Sequence, residues 1–343
     1  MKKYNVAILG ATGAVGREFI KLIEERNFPY NELKLLASER SAGKEIEVAG
    51  KKYTVEEARP DSFKEIQIAL FAGGSISKTL APEAVKFGAV VIDNSSAFRM
   101  DPEVPLVVPE VNPEAIKQHR GIIANPNCST IIMVMALKPI YDSVKIKRVV
   151  VSTYQAVSGA GKEAIDELTD QVEAVMEERP VKARVLPSAS LDKHYQIAFN
   201  LIPHIDIFVD GDYTKEEMKM VNETHKILND PSIGISATTV RVPVYRAHSE
   251  SINLELDGPL SPPEAKELLA KFPGVIVQDN PAEMIYPMPL LASGHDEVFV
   301  GRIREDKSVK HGLNMWVVGD QIRKGAALNA VQIAEYMIHQ NLI

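Results

Sequence analysis

The chain has 343 residues, of which 45% are hydrophobic and 25% charged, and its formal net charge is −7. These values are ordinary for a globular protein and argue against a disordered chain or a fibrous repeat. Acidic charge without a basic block argues against electrostatic binding of nucleic acid. The most apolar run, 131–137, is too short to span a membrane.

The length of 343 residues predicts two domains, and a few residues bear on the cellular compartment. The start of the chain, 1–5, carries no signal-peptide core. A single cysteine, Cys128, excludes an intramolecular disulfide framework and a multi-cysteine zinc site. We therefore expect a cytoplasmic protein, without a metal site, that folds as two domains.

The first third of the chain alternates short apolar strands with helices. Strands are predicted at 4–9, 33–37, 68–72, 90–93 and 122–124, and helices at about 15–25 and 81–87. Such alternation predicts a parallel sheet that is covered on both faces.

The pattern changes after residue 128. A buried helix is predicted over 129–141 and further helices over 161–178 and about 320–340, with strands at 148–155, 236–244, 251–256, 298–303 and 313–318. The sequence thus predicts an α/β fold in which a Rossmann-like dinucleotide-binding domain, 1–127, precedes an α+β domain, 128–321.

A glycine-rich turn follows the first strand and opens the first helix. Gly10, Gly13 and Gly16 have G-x-x-G-x-x-G spacing, a variation on the dinucleotide fingerprint. Glycine permits the tight turn and lets backbone amides approach a pyrophosphate at the positive end of a helix. The alternative is a plain glycine-rich turn, but the strand and the helix around it favour a dinucleotide site.

The residues after the second strand bear on the choice between NADP and NAD. Ser38, Arg40 and Ser41 suit a ribose 2′-phosphate, because arginine offers a forked set of donors to phosphate oxygens. Glu39 argues the other way, since an acidic residue at this place usually binds the ribose hydroxyl of NAD. We predict NADP, and NAD if Glu39 rather than Arg40 faces the ribose.

Cys128 lies directly before the predicted buried helix. A thiol at a helix N-terminus feels a partial positive charge that stabilises the thiolate. A buried apolar role is the alternative. A nucleophile needs a base, and among the eight histidines His248 stands out because it lies between two predicted strands, after Arg241, which could hold a carboxylate with two prongs.

Seven segments, in their order and spacing, together resemble the aspartate-β-semialdehyde dehydrogenase family over essentially the whole chain. They are Gly10 to Gly16, Asp93 to Arg99, Asn125 to Cys128, Tyr154 to Gly159, Glu216 to Lys219, Arg241 with His248, and Gly319 to Gln321. The length and the single cysteine resemble the shorter bacterial branch. The resemblance implies a homodimer formed through the second domain, with a C-terminal helix, 322–343, packed on the first.

The resemblance also implies an activity. This is the reversible, phosphorylating oxidation of L-aspartate 4-semialdehyde to L-4-aspartyl phosphate with NADP, a step that serves lysine (through diaminopimelate), methionine and threonine biosynthesis. Cys128 would form the acyl thioester, His248 would be the acid/base, and Gln155 would orient the acyl group. Arg241 would hold the substrate carboxylate and Glu216 its amine.

Two further groups of residues match family positions. Those implied to handle phosphate or the acyl phosphate are Arg99, Asn127 and Lys219. Those implied to contact the cofactor are Thr12, Gly13, Ala14, Val15, Arg40, Ser41, Ser158, Gly159 and Gln321.

Three other readings compete with this one. N-acetyl-γ-glutamyl-phosphate reductase shares the plan but has no substrate amine, so Glu216 and the Gly319 to Gln321 segment argue against it. Glyceraldehyde-3-phosphate dehydrogenase differs around its cysteine. A catalytically silent, dinucleotide-binding regulatory protein would have no need of Cys128, Gln155 and His248 together.

Overall fold

The computed structural model describes residues 2–343 and divides into two compact units. The first unit runs to Asn127 and takes in Gly325–Ile343, and the second spans Cys128–Lys324. None of the helices formed by residues 2–343 is both long and apolar enough to cross a membrane.

The elements follow one another in chain order. To residue 124 they are β1 (Tyr4–Leu9), α1 (Ala14–Glu25), β2 (Tyr30–Ala37), β3 (Glu45–Val48), β4 (Lys51–Thr54), β5 (Glu56–Glu57), β6 (Ile68–Phe71), α2 (Ser77–Lys86), β7 (Val90–Asp93) and β8 (Ile122–Ala124). They continue with α3 (Cys128–Ser143), β9 (Ile146–Gln155), α4 (Lys162–Met176), α5 (Lys215–Leu228), β10 (Gly234–Arg241), β11 (His248–Leu256) and α6 (Pro262–Lys271). The last are β12 (Val275–Val277), α7 (Pro289–Ala292), β13 (Val298–Asp306), β14 (Gly312–Gly319) and α8 (Leu328–His339).

The first unit is built on a parallel sheet in the order β5-β2-β1-β6-β7-β8. Alternate residues of β1 enter two cores: Val6 and Ile8 pack with α1 and α8, whereas Ala7 and Leu9 pack with α2. Burial on both faces is why this strand is apolar throughout. The predicted fold class, with its N-terminal parallel sheet, is confirmed.

The second unit contains a mixed sheet in the order β10-β9-β11-β14-β13-β12. Strands β9 and β10 are parallel, and β11 is antiparallel to β9 and β14. Helices α3, α5 and α6 pack on β14, β10 and β13 respectively. The sheet therefore carries parallel and antiparallel neighbours, and the ends of β9 and β10 meet the start of β11 at one edge.

Some element boundaries differ from the sequence prediction. Strand β11 begins at His248 rather than at residue 251, because Ser249 and Glu250 are buried although polar and so gave no apolar signal. The predicted final helix over 320–340 is divided, since Arg323–Ala327 forms a π-helical turn before α8. Asp320 accepts hydrogen bonds from the amides of Ile322 and Arg323 ahead of that turn.

Candidate active site

Three polar side chains stand next to one another at one edge of the second unit's sheet. Arg241 ends β10 and pairs in register with Gln155, which ends β9. His248 begins β11, one position beyond the Ser249–Tyr154 pair. The order β10-β9-β11 makes these strands neighbours. All three side chains are buried, with no more than 4% exposed.

Cys128 is the first residue of α3 and is half-buried. The helix behind it is apolar nearly all round, and 131–137 is completely buried. Ser129, the next residue, accepts a hydrogen bond from Nε2 of Gln155. Gln155 therefore ties the end of β9 to the first turn of the helix that carries the thiol.

The first turns of α5 bring an acidic and a basic side chain to the same place. Thr214 caps this helix in a capping box with Glu217. The buried carboxylate of Glu216 accepts from Gln155 Nε2 at 3.2 Å and from Lys219 Nζ at 3.0 Å. Burial opposes the charge on Lys219, but Glu216 and Asp206, the latter at 2.8 Å, hold its pKa above the usual value.

Arg241 is anchored from one side only. Its Nη1 donates to the carbonyl oxygen of Ala156 at 2.7 Å, while its Nε has no hydrogen-bond partner among residues 2–343. Burial lowers the pKa of Arg241, and the charges of Glu216 and Cys128 counteract this effect. A buried guanidinium with an unused donor is suited to binding an anion such as a carboxylate.

The imidazole of His248 is held by the backbone. Its Nδ1 lies 3.0 Å from the amide nitrogen of Ala156, and because that amide donates, Nδ1 accepts and the proton of the neutral ring resides on Nε2. Burial and the neighbouring charge of Arg241 lower the pKa of His248 to about 3, with Glu216 opposing the change. The ring is therefore neutral and offers an N–H at Nε2, which has no partner among residues 2–343.

Because Gly159 has no side chain, a ligand can approach Arg241 and His248 closely from this side. A Cβ at this position would lie 3.0 Å from Nη1 of Arg241 and 3.3 Å from Nε2 of His248. The second unit thus brings together all of the residues for which the sequence predicted catalysis, Cys128, Gln155 and His248, with Glu216, Lys219 and Arg241 beside Gln155 and His248.

The first unit holds a cavity of about 480 Å³ at the glycine-rich turn. Its lining includes Gly10, Thr12 and Gly13 of the turn and Ser38 after β2. Gly10 has φ +82°, and a Cβ there would lie 2.4 Å from the carbonyl oxygen of Ala72. The turn therefore requires glycine, and the size of the cavity fits part of a dinucleotide.

The remaining predicted residues of this turn lie where α1 begins. Ala14 and Val15 start the helix, and a Cβ on Gly16 would lie 2.1 Å from the carbonyl oxygen of Gly10. The close approach keeps the turn tight and directs the helix N-terminus beside the cavity. This arrangement fits a pyrophosphate bound by backbone amides.

Glu39 and Arg40, on which the predicted choice between NAD and NADP depends, differ in their position relative to the cavity. Glu39 lines the cavity together with Ser38, whereas Arg40 is exposed on the short turn Glu39–Ser41 and is not part of the cavity wall. The buried Ser41 hydroxyl lies 3.4 Å from the hydroxyl of Thr12. This contact joins the turn that carries Arg40 to the glycine-rich turn.

Arg99 and Asn127 belong to the first unit. Arg99 is buried, and its guanidinium donates to the carbonyl oxygens of Asn125 at 2.9 Å and of Asn94 at 2.7 Å. These bonds tie the loop after β7 to the segment just ahead of Cys128. Asn127, also buried, is the last residue of the unit before residue 325.

The predicted cofactor residues are divided between the units. Ser158, Gly159 and Gln321 lie in the second unit. Gln321 is only 3% exposed, and both ends of its amide are engaged: Nε2 donates to Ser158 Oγ, and Oε1 accepts from the amide of Ala247.

Sequence reasoning missed several residues that build the site. Ser129, which accepts from Gln155, and Asp206, which pairs with Lys219, were not predicted as site residues. The backbone of Ala156 serves both Arg241 and His248, which no side-chain pattern could indicate.

Comparisons with known proteins agree over the whole chain. The family model described as semialdehyde dehydrogenase, NAD binding domain, matches residues 5–119, and that described as semialdehyde dehydrogenase, dimerisation domain, matches residues 137–324. Aspartate-semialdehyde dehydrogenases of Aquifex aeolicus and Bacillus subtilis are 61% and 53% identical to the chain, each comparison covering 99% of both sequences.

Solved structures give the same result. A Vibrio cholerae aspartate semialdehyde dehydrogenase II, described as complexed with ASA, is 48% identical with a TM-score of 0.93, covering 99% of each chain. A Candida albicans aspartate semialdehyde dehydrogenase with NADP is 26% identical with a TM-score of 0.76, covering 100% of each chain. The chain belongs to the aspartate-semialdehyde dehydrogenase family.

Proposed function

We propose that the protein catalyses the reversible, NADP-dependent phosphorylating oxidation of L-aspartate 4-semialdehyde to L-4-aspartyl phosphate, through a thioester on Cys128. The observation that carries this proposal is the edge of the second unit's sheet, where Gln155, Arg241 and His248 stand side by side. The Vibrio cholerae relative, described as complexed with ASA, supports the substrate.

The chemistry begins at the thiol of Cys128. As a thiolate it adds to the aldehyde carbon, forming a C–S bond and an alkoxide on the former carbonyl oxygen. A nicotinamide cofactor held at the glycine-rich turn would supply the hydride acceptor for that carbon in oxidation and the hydride donor in reduction. The carbon is then a thioester, and phosphate attacks it and expels the thiolate, so that no proton is gained or lost at sulfur.

His248 acts at Nε2 in this scheme. The proton of its neutral ring is on Nε2, because Nδ1 already accepts a hydrogen bond from the amide of Ala156. A fixed donor can stabilise the alkoxide as it forms, and such preorganised donors usually supply a large part of catalysis. The acid/base role expected from the sequence stays a prediction, and it requires a proton to move through the same atom.

Different charged residues bind the different charged groups of the substrates. Arg241 holds the carboxylate with its unused Nε, and Glu216 takes the amine. We assign phosphate to Arg99, Asn127 and Lys219, as the family resemblance implies. Lys219 is itself held between two carboxylates, so it acts by its charge at that position.

We propose that the cofactor is NADP rather than NAD. The Candida albicans relative is described with NADP, and Arg40 and Ser41 directly follow Glu39 on the short turn Glu39–Ser41, although they do not line the cavity. Glu39 in the cavity wall favours a free 2′-hydroxyl. Comparing kcat/KM for NADP and NAD in the wild type, Arg40→Ala and Glu39→Ala tests this choice: Arg40→Ala should lower the ratio and Glu39→Ala should raise it. A wild type that prefers NAD contradicts the proposal.

A single assay tests the activity. Absorbance at 340 nm should rise when protein, NADP, phosphate and aspartate semialdehyde are all present, and should stay flat without phosphate. N-acetylglutamate semialdehyde and glyceraldehyde 3-phosphate serve as control substrates. Turnover of either control in preference to aspartate semialdehyde would reject the assignment.

We also propose that the protein acts in the cytoplasm, in lysine, methionine and threonine biosynthesis, as a homodimer formed through the second unit. A reactive thiol fits a reducing compartment, and the dimerisation-domain model matches residues 137–324. Light scattering should give twice the 37.8 kDa of the chain. A monomer at assay concentration would contradict the dimer.

A further inference from the structure

Ala247, directly ahead of His248, has an unusual backbone. Its φ is +72°, a conformation that residues with a Cβ rarely adopt, and the residue is completely buried. Such outliers persist only where their surroundings hold them, and they are found most often at functional sites. The conformation sets the direction from which the chain enters β11, and therefore where the imidazole of His248 lies.

One side chain holds this residue in place. Oε1 of Gln321 accepts a hydrogen bond from the amide of Ala247 at 2.8 Å, and Nε2 of the same amide donates to Oγ of Ser158. Ser158 belongs to the short turn Val157–Ala160, which directly follows Ala156, the donor to Nδ1 of His248. Gln321 therefore contacts both chain segments that enclose the ring.

We propose that Gln321 is a positioning residue for His248, whose amide clamps Ala247 to Ser158 and so holds the imidazole with Nδ1 on the Ala156 amide and the Nε2 proton facing the reacting oxygen. The role assigned to that proton rests on the proposed function. The clamp itself is a property of the second unit alone.

The geometry explains why a clamp is needed. Without Gln321, the Ala247 amide would lose its buried acceptor, and the residue would relax toward negative φ, where alanine is not strained. The ring would then turn away from the Ala156 amide. Both tautomers would become accessible, and the donor at Nε2 would no longer have a fixed position.

NMR spectroscopy of His248 tests the clamp without measuring activity, because the tautomer of the ring reports how the ring is held. With histidine labelled by ¹⁵N, the wild type should show the Nε2–H tautomer for His248 throughout the range in which ordinary histidines titrate. His248→Asn identifies the signal among the eight histidines. The charged groups that face the ring, Arg241 on β10 and Glu216 on α5, are unchanged in Gln321→Leu. In that variant we expect a mixture of tautomers and a pKa closer to the ordinary value.

Kinetics give the second measurement. Gln321→Leu should lower kcat by about 10²-fold, as expected for misplacement of a catalytic group. Because the family resemblance also implies a cofactor contact at Gln321, the cofactor KM does not by itself test the clamp, whereas rescue by a second substitution does. Adding Ala247→Gly should restore part of kcat, because glycine adopts positive φ without strain. Gln332→Leu, which removes a bond to Glu110 in the first unit, is the matched control and should leave kcat unchanged.

Two outcomes for Gln321→Leu overturn the proposal. A Gln321→Leu variant that keeps the wild-type signal of His248 shows that no clamp exists. A variant that raises the cofactor KM, with no rescue by Ala247→Gly, shows that Gln321 acts by contacting the cofactor. If Gln321→Leu does not fold, Ser158→Ala removes one half of the clamp and must show the same change of tautomer in smaller measure. Loss of the proposed activity in the wild type, with the Nε2–H signal intact, rejects the function and leaves the clamp standing.

Discussion

The two units make their sites from different parts of the chain. In the first, the cavity at the glycine-rich turn is shaped by backbone, since Gly10 and Gly16 lie where a Cβ would meet a carbonyl oxygen within 2.4 Å. In the second, the site consists of buried side chains, among which Gln155, Arg241 and His248 are at most 4% exposed. A backbone site depends on the absence of side chains, whereas a side-chain site depends on their partners.

The second site requires more free energy to form than the first, because its polar side chains are buried. Burying a polar or charged group costs free energy unless hydrogen bonds and opposite charges replace water. Gln155 is bonded to Ser129 and Glu216, and Glu216 to Lys219, so most of these groups stabilise one another. The groups left with an unused donor, Arg241 and His248, are those that the proposed reaction employs.

The largest effect is expected at the nucleophile. Cys128→Ser replaces a thiolate by a poorly ionised hydroxyl at the start of α3, and kcat should fall by at least ~10³-fold. Cofactor affinity, measured by fluorescence titration, should not change, because Cys128 belongs to the second unit and does not line the cavity of the first. A thiol reagent should label Cys128, seen by mass spectrometry, in proportion to the activity lost. Turnover near the wild-type rate would refute the mechanism.

A second prediction tests the backbone character of the first site. Gly16→Ala places a Cβ 2.1 Å from the carbonyl oxygen of Gly10 and should destabilise the first unit by about 3 kcal/mol. Gly13→Ala is the matched control, since its Cβ would meet that same oxygen at 3.4 Å and φ is −79°. Hydrogen exchange of β1 peptides measures the difference. Equal protection in the two variants would show that the turn adapts to a side chain.

A third prediction concerns a side chain of the second site. Arg241→Lys keeps a charge but loses the forked donors, so the KM for the semialdehyde should rise by about 10- to 100-fold, the range expected for a charge-assisted hydrogen bond. Arg184→Lys, at an exposed ion pair with Asp170, is the control and should change nothing. An unchanged KM in Arg241→Lys would place the carboxylate elsewhere.

The same contrast explains what the sequence could and could not predict. A site built from backbone is visible in the sequence as glycines, so the spacing of Gly10, Gly13 and Gly16 after a strand was enough to predict the first site. For the second site, Cys128, Arg241 and His248 were selected by chemistry and by family resemblance. Their alignment could not be predicted, because it depends on strand order: β10, β9 and β11 are neighbours although 85 residues lie between Gln155, the end of β9, and Arg241, the end of β10. The left-handed Ala247 and the carbonyl and amide of Ala156 carry no sequence signal at all.

The smallest effect is expected at Glu250, a completely buried carboxyl group of the second unit. Neither of its carboxylate oxygens has a hydrogen-bond partner among residues 2–343, and burial raises its pKa well above the usual value. The native chain therefore keeps a proton here that the unfolded chain releases once pH exceeds the ordinary carboxyl range, so this group makes stability fall as pH rises.

Glu250→Gln removes that dependence, since an amide is neutral at every pH. Its Tm should exceed that of the wild type, and the gap should widen between acidic and alkaline buffer by a few degrees, given about 2–4 °C for each kcal/mol. Glu217→Gln is the contrast, because the two oxygens of Glu217 accept from the amides of Thr214 and Thr239. Gln offers only one acceptor for those two donors, so this variant should be less stable at all pH values. A gap for Glu250→Gln that is constant with pH would mean that Glu250 is ionised in the folded chain, and that the second unit tolerates an unpaired buried charge.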